Sequence, residues 1–448
     1  MSQKIKKNDE IIVDIDRLGD NGEGIASFDG EIVFVPYAKV GERVRVHIIN
    51  DKHKFLVGKI TQKITENNEK ILPKCPYFYK CGGCDVQHLS KEEQLELKKN
   101  IVKNNLKKIA KIDTEIQDVV ASDKQFRYRN KFAFPVQDVD GKIKIGMYQK
   151  NSHNIIEIED CLLQSENVKL ILKLFKEYMI ENKISSYNEK TKKGIVKHIV
   201  CREYDNQFIL TVVVTDEKFN NFVPLIEKIK TQFCHFGITK NVNKLNNNVI
   251  FGNLDYNVYG IDNLNISEFG IDYQINNRSF FQVNNYIKTK IYKKIIELLS
   301  GQKIIVDAYS GAGLLSSILA KNFDRVYGIE IEKEATKNAD YLKNKNKLDN
   351  LTNINGDCAI ALPKLICNLK DKFAIVVDPP RKGLDKKVVD AFLHVEPNQI
   401  VYLSCNPATL ARDLQLLSQK YLVDFVQPYD MFPQTANVET LVNLILKK

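Results

Sequence analysis

Two periodicities divide the chain. In residues 43–48, Val44, Val46 and Ile48 alternate with Arg43, Arg45 and His47. Period two puts the apolar set on one face of a strand and the basic set on the other. Glu31 to Val35 reads as another strand, stopped by Pro36, and Gly19, Gly22, Gly24 and Gly30 punctuate the short runs around it. Short strands with glycine turns predict a small β-barrel over residues 1–62. Its basic face suits RNA phosphates or plain solvent. Further on, Ser90 stands three residues before Glu93, a capping box that starts a helix. Leu95, Val102, Leu106 and Ile109 form its packing stripe, with lysines on the other face.

Between 125 and 280 the pattern is mixed. Phe208 to Thr215 (FILTVVVT) reads as a buried strand and Lys197 to Tyr204 as its neighbour. Arg127, Tyr128, Arg129, Lys131 and Phe132 interleave base and aromatic, which fits phosphate contact and base stacking as well as an edge strand. From 281 onwards strands and helices alternate. Ile304 to Asp307, Val326 to Glu330, Phe373 to Asp378 and Gln399 to Ser404 are strands; helices run to Ala320 and from Glu332 to Lys347. This order predicts a doubly wound parallel sheet.

Composition narrows the function. With 44% hydrophobic and 27% charged residues the 448-residue chain has material for sizeable cores, which excludes wholesale disorder. Lys and Arg total 66 against 56 Asp and Glu, and a net charge of +10 favours a polyanionic partner, nucleic acid first. The start, MSQKIKKNDE, has no apolar signal region, and no stretch reaches the ~18 apolar residues of a membrane span. A cytoplasmic protein without a membrane partner is expected. Nine cysteines in that compartment point to metal ligation or catalysis rather than disulfides.

The candidate chemistry sits at strand ends. IIVDAYSGAGLL (304–315) is a strand, a glycine turn and a helix; Gly311 and Gly313 allow close backbone approach to a ligand. Glu330 ends the next strand, where a carboxylate can accept ribose hydroxyls, and Asp357 follows on the third crossover, within reach of an adenine amino group. The site fits S-adenosylmethionine or a dinucleotide, but the full GxGxxG pattern is absent. Strand four ends in Asp378-Pro379-Pro380-Arg381 and strand five in Ser404-Cys405-Asn406-Pro407. Both open onto one crevice, so Cys405 faces the ligand as a soft nucleophile, with Arg381 or a helix N-terminus lowering its pKa. Cys75, Cys81 and Cys84 have C-x5-C-x2-C spacing, which admits zinc or an iron–sulfur cluster.

Together SFFQVN (279–284), DAYSGAG, Glu330, VDPPRKG, SCNP and FPQTANVE, in this order, resemble the RNA (uracil-5-)-methyltransferase family over nearly the whole chain. The resemblance implies a multidomain α/β architecture. An OB-like TRAM barrel spans 1–62, a mixed central RNA-binding domain with an iron–sulfur site spans 63–280, and a Rossmann-like class I methyltransferase domain spans 281–448. The helix at 90–110 packs on the catalytic domain in this scheme. The resemblance implies that Gln282, Tyr309, Glu330, Asp357 and Asp378 contact S-adenosylmethionine, that Cys405 is the nucleophile and that Glu439 is the base. Cys405 adds to C6 of uracil, C5 takes the methyl group, Glu439 removes the C5 proton, and elimination yields 5-methyluridine. The uridine must be unstacked, in a loop or flipped out. Where the family's last motif usually has a His two residues before the Glu, this chain has Asn437.

Members acting on 23S rRNA carry the same cysteine set with a remote fourth ligand, here Cys161, on a [4Fe–4S] cluster. The resemblance therefore favours 23S rRNA as substrate, with no DNA partner and a monomeric state. A tRNA uracil-C5 methyltransferase is the nearest alternative, disfavoured by the barrel and the cysteine set. Radical methylthiotransferases require C-x3-C-x2-C and lack a Rossmann-like half. A non-catalytic RNA-binding assembly factor on the same fold is disfavoured by intact Cys405, Glu439 and Gln282.

Overall fold

The computed structural model describes residues 5–52, 54–65, 71–367, 369 and 371–448. Six strands, β1 (Glu10–Asp14), β2 (Arg17–Leu18), β3 (Gly24–Phe28), β4 (Glu31–Val35), β5 (Arg43–Asp51) and β6 (Leu56–Thr65), form one sheet in the order β1-β5-β6-β4-β3-β2. The alternation in β5 is realised. Val44, Val46 and Ile48 are buried with Val13, Val33 and Val35, while Arg43, Arg45 and His47 reach solvent.

Helix α1 (Lys91–Asn105) begins with the expected box: Glu93 N–H donates to Ser90 Oγ at 3.0 Å and Ser90 N–H to Glu93 Oε2 at 2.6 Å. Its buried face is rotated from the expected stripe. Gln94, Leu97, Lys98, Ile101 and Val102 point inwards, whereas Leu95 is only half-buried. Ile109 faces out because the helix continues as a π-helical turn (Leu106–Ala110), whose wider spacing turns that position away. Leu97, Ile101 and Leu106 share one core with Tyr402, Leu414 and Val426, so this helix packs on the last sheet of the chain.

The second sheet comprises β7 (Lys131–Val139), β8 (Lys142–Tyr148), β9 (Ile155–Glu157), β10 (Val196–Tyr204), β11 (Gln207–Val214), β12 (Phe236–Val242) and β13 (Leu254–Gly260), ordered β13-β12-β11-β10-β7-β8-β9. Helices α2 (Val168–Glu181) and α3 (Val223–Lys230) cover it. The FILTVVV run is β11, antiparallel to β10 as expected. The basic-aromatic run before it faces the interior instead of a ligand. Arg127 grips both oxygens of Asp160 at 2.7 and 2.6 Å, Lys131 Nζ donates to Asn277 O at 2.6 Å, and Phe132 stacks on Phe134. Internal partners thus engage Arg127 and Lys131, while Tyr128 and Phe132 are buried.

A hairpin, β14 (Leu264–Glu268) and β15 (Ile271–Ile275), and helix α4 (Asn285–Leu298) lead to the last sheet. Its strands are β16 (Ile304–Ala308), β17 (Arg325–Glu330), β18 (Leu351–Asn355), β19 (Phe373–Val377), β20 (Gln399–Ser404), β21 (Tyr421–Tyr429) and β22 (Glu439–Leu446). Helices α5 (Leu314–Ala320), α6 (Lys333–Lys345), α7 (Cys358–Ile366), α8 (Lys386–Val395) and α9 (Pro407–Leu417) connect them. The order β18-β17-β16-β19-β20-β22-β21 reverses at β16. The first five strands are parallel, and β22 runs antiparallel to both neighbours. Each strand feeds two cores: Ile305 and Val401 go to one face, Val306 and Tyr402 to the other. Such a sheet opens its ligand crevice at the carboxyl ends on either side of the reversal. Among the described residues no helix is long and apolar enough to cross a membrane.

Candidate active site

The turn after β16 is shaped by backbone strain. Tyr309 has φ 82°, and its N–H and that of Ser310 both donate to Ile329 O at 3.0 Å. Left-handed backbone costs a non-glycine residue free energy and persists only where the surroundings hold it. Two glycines complete the turn. A Cβ on Gly313 would stand 2.6 Å from that of Ala339, whereas nothing lies within 4 Å of one on Gly311. Gly311 therefore leaves open space in the turn that follows β16.

Glu330 closes β17. Its carboxylate accepts from Gly311 N–H at 2.9 Å and Glu332 N–H at 2.8 Å, which fixes it at the tip of the turn. Asp357 follows β18 and caps α7, accepting from Ala359 N–H at 2.8 Å. Gly356, Asp357 and Ile360 line a cleft of about 550 Å³ beside it. Gln282 lies before α4, and its carbonyl accepts from Asn130 Nδ2 at 2.9 Å. Burial drives the Asp378 carboxyl up to about 7, with Asp307 adding to the shift. Asp307 itself is raised to about 6 by burial, against the 2.6 Å bond from Ser316 Oγ. The sequence marks neither Asp307 nor Ser316 beyond the Asp of DAYSGAG.

Cys405 and Glu439 come together through the sheet register. Ser404 of β20 pairs with Thr440 of β22, so Cys405 and Glu439 are the next residues on each side of that pair. Burial holds the Cys405 thiol above its ordinary value, Glu439 and Asp378 reinforce this, and Arg381 opposes it. The expected lowering by Arg381 is thus outweighed, because one cation works against desolvation and two carboxylates. Burial also holds the Glu439 carboxyl well above the usual range; Asp378 raises it further and Arg381 again opposes. Asn437 turns to its own loop, its Nδ2 donating to Thr435 Oγ1 at 3.3 Å.

The four cysteines named from the sequence meet. Cys75, Cys81, Cys84 and Cys161 line one cavity of about 40 Å³, together with Arg129 and Asp160. Gly82 lets the chain pass close by, since a Cβ there would meet the Lys150 backbone at 3.2 Å. Burial pushes the Cys81 thiol up to about 11. Arg129 Nε is buried beside these thiols without a hydrogen-bond partner. Among the described residues no three His, Cys, Asp or Glu side chains converge as a single metal ion requires.

Residues 90–448 match the family model described as tRNA (Uracil-5-)-methyltransferase, and residues 5–61 match that of the TRAM domain. The chain belongs to the tRNA (uracil-5-)-methyltransferase family. It is 39% identical to an uncharacterized RNA methyltransferase of Clostridium acetobutylicum, over 98% of this chain and 97% of that protein. An uncharacterized RNA methyltransferase of Clostridium tetani is 36% identical, over 98% and 96%. Among solved structures, the tRNA (uracil-54, C5)-methyltransferase of Pyrococcus abyssi in complex with S-adenosyl-L-homocysteine matches with a TM-score of 0.78 and 28% identity, covering 97% of this chain and 99% of that one. The protein is therefore an S-adenosylmethionine-dependent RNA methyltransferase with an N-terminal TRAM domain.

Proposed function

We propose that the protein methylates C5 of an unstacked uridine in 23S rRNA, as a cytoplasmic monomer. The observation that carries the reaction is the placing of Cys405 and Glu439 on facing ends of β20 and β22. In this reading residues 281–448 are the methyltransferase domain, 63–280 the central RNA-binding domain and 1–62 the barrel. S-adenosylmethionine, when bound, supplies an electrophilic methyl group. The open side of Gly311 and the carboxylates of Glu330, Asp357 and Asp378 fit a nucleoside ligand with a cationic sulfonium, and Gln282 and Tyr309 complete that set. The Cys405 thiolate adds to C6, which gives C5 carbanion character. Once C5 carries the methyl group, Glu439 takes its proton, the C5–C6 double bond re-forms and the thiolate leaves.

The pH dependence follows from the shifts. Addition needs the thiolate and proton removal needs the carboxylate, yet the free protein favours the neutral form of each. Both ionisations therefore switch activity on as pH rises. kcat/KM, which reports the free enzyme, is expected to rise with pH and to go on rising through the alkaline range, because the Cys405 thiol is held above its ordinary value. Arg381→Ala removes a cation that opposes both shifts, and is expected to move the climb further alkaline. A flat profile would contradict these assignments.

The donor set around the 40 Å³ cavity is four thiols. Four thiols around one cavity, with no three side chains converging on a point among the described residues, suit a [4Fe–4S] cluster, whose four irons each take one thiolate, better than a single ion, which needs its ligands about 2.3 Å away. Cys75, Cys81, Cys84 and Cys161 would hold the cluster as a structural group. Protein purified without air is expected to carry iron, labile sulfide and brown colour. A colourless protein with stoichiometric zinc would overturn the assignment.

The 23S rRNA substrate rests on this cysteine set. The barrel does not discriminate, because the match to the tRNA (uracil-54, C5)-methyltransferase of Pyrococcus abyssi covers 97% of this chain. That likeness favours tRNA as the second reading. Methyl transfer from labelled S-adenosylmethionine to unmodified 23S rRNA and to bulk tRNA separates them. Label at uridine C5 in rRNA supports the first, and label in tRNA alone replaces it with the second.

A further inference from the structure

The segment between β21 and β22, which delivers Glu439, has no regular structure, yet residues 430–436 are buried apart from half-buried Phe432. A buried loop must satisfy its backbone polar groups from elsewhere. Distant segments do so. Lys98 of α1 pairs with Asp430, both side chains essentially inaccessible, and donates to Phe432 O at 3.0 Å. Asn284 Nδ2 donates to Met431 O and Tyr128 OH to Pro433 O, each at 3.1 Å.

Further contacts converge on Gln434. Its N–H donates to Gln94 Oε1 at 3.1 Å, and its Oε1 accepts from Gln94 Nε2 at 3.2 Å. Its carbonyl accepts from two successive N–H groups, Asp85 at 3.1 Å and Val86 at 3.2 Å. Asp85 directly follows Cys84. Gln434 itself has φ 70°, a conformation that a side-chain-bearing residue keeps only when its surroundings hold it.

We propose that Gln434 and Gln94 are positioning residues that clamp the cysteine loop to the loop leading into Glu439, so that order around the four thiols sets the aim of that carboxylate. The proposal rests on the reading of Glu439 as the base that removes the C5 proton. When the clamp opens, Cys405 still bonds to C6 and C5 still gains its methyl group. The C5 proton then stays in place, the C6–sulfur bond does not break, and RNA remains attached to protein.

The test compares the whole protein as wild type, Gln94→Ala, Gln434→Ala and Cys84→Ser, with Glu439→Gln alongside. Hydrogen exchange of residues 430–436 is expected to quicken in the first three variants. During turnover each is expected to show a covalent RNA–protein band, with kcat lower by up to about 10²-fold, as misplacement of a reacting group by about 1 Å can cost, and KM for S-adenosylmethionine unchanged. Circular dichroism and, for the two glutamine variants, iron content serve as controls for folding. Unchanged exchange in Gln94→Ala, whose side-chain amide bonds both Val86 O and Gln434 Oε1, overturns the clamp. Gln434→Ala keeps the main-chain bonds to Asp85 and Val86 and is expected to show the smaller effect. Faster exchange without the covalent band overturns its link to proton removal. Absence of the band in Glu439→Gln itself overturns the reading of the base, and the positioning proposal with it.

Discussion

Cys405→Ala is expected to lower methyl transfer by at least about 10⁴-fold, a loss typical of removing a covalent nucleophile. Uracil C5 is too weak a nucleophile to take a methyl group unaided, so without addition at C6 no slower version of the same route remains. Binding of S-adenosylmethionine should stay within a few-fold of wild type. The groups proposed to hold it lie mainly at the ends of β16, β17, β18 and β19, whereas Cys405 follows β20. Cys405 is only half-buried, so truncation opens no large cavity and stability should change little. Labelled methyl transfer and equilibrium binding of S-adenosylmethionine measure the two effects. Transfer by the alanine variant within tenfold of wild type would remove Cys405 from the reaction.

Glu439→Gln is expected to cost ~10²–10⁴-fold in turnover, the usual worth of a general base. The fingerprint is more informative than the rate. Glutamine keeps the size of the side chain but cannot take the proton, so addition and methylation proceed and elimination does not. An RNA–protein band stable to denaturation should accumulate with one methyl group per adduct. The double variant Cys405→Ala with Glu439→Gln should show no band, which ties the adduct to that sulfur. No adduct in the single variant would count against Glu439 as the base. Asn437 is expected to matter little, because its amide bonds to Thr435 within its own loop.

Regular patterns were legible in the sequence where local spacing decides the outcome. The period-two run of β5, the capping box at Ser90 and the strand–helix alternation after 304 all depend on residues close in sequence. What depends on distant partners was not. Gln94 and Lys98 look like surface positions of α1 until Gln434 and Asp430 are brought to them from the far end of the chain. Arg127 looks free until Asp160 is placed beside it. The meeting of Cys161 with the other three cysteines came from the family resemblance, not from spacing. The balance of forces on Cys405 is hidden for a related reason: Arg381 is visible next to the strand end and acts in the expected direction, but the depth of burial and the closeness of Glu439 that outweigh it are not visible.

The rotated face of α1 has a consequence for synthesis. Gln94 bonds to a residue 340 positions later. At about 5–20 residues per second, that partner leaves the ribosome tens of seconds after the helix does. During this interval Leu97, Ile101 and Val102 have nothing to cover them, because the sheet they join has not been made. A stripe interrupted by an amide and an ammonium group is hydrated and less adhesive than one built only of leucine and isoleucine. The same two polar residues that end up sealed under the last loop thus keep the nascent helix soluble while it waits. Chains released before Tyr421 never complete that cover, so premature termination should yield products that chaperones and proteases readily recognise.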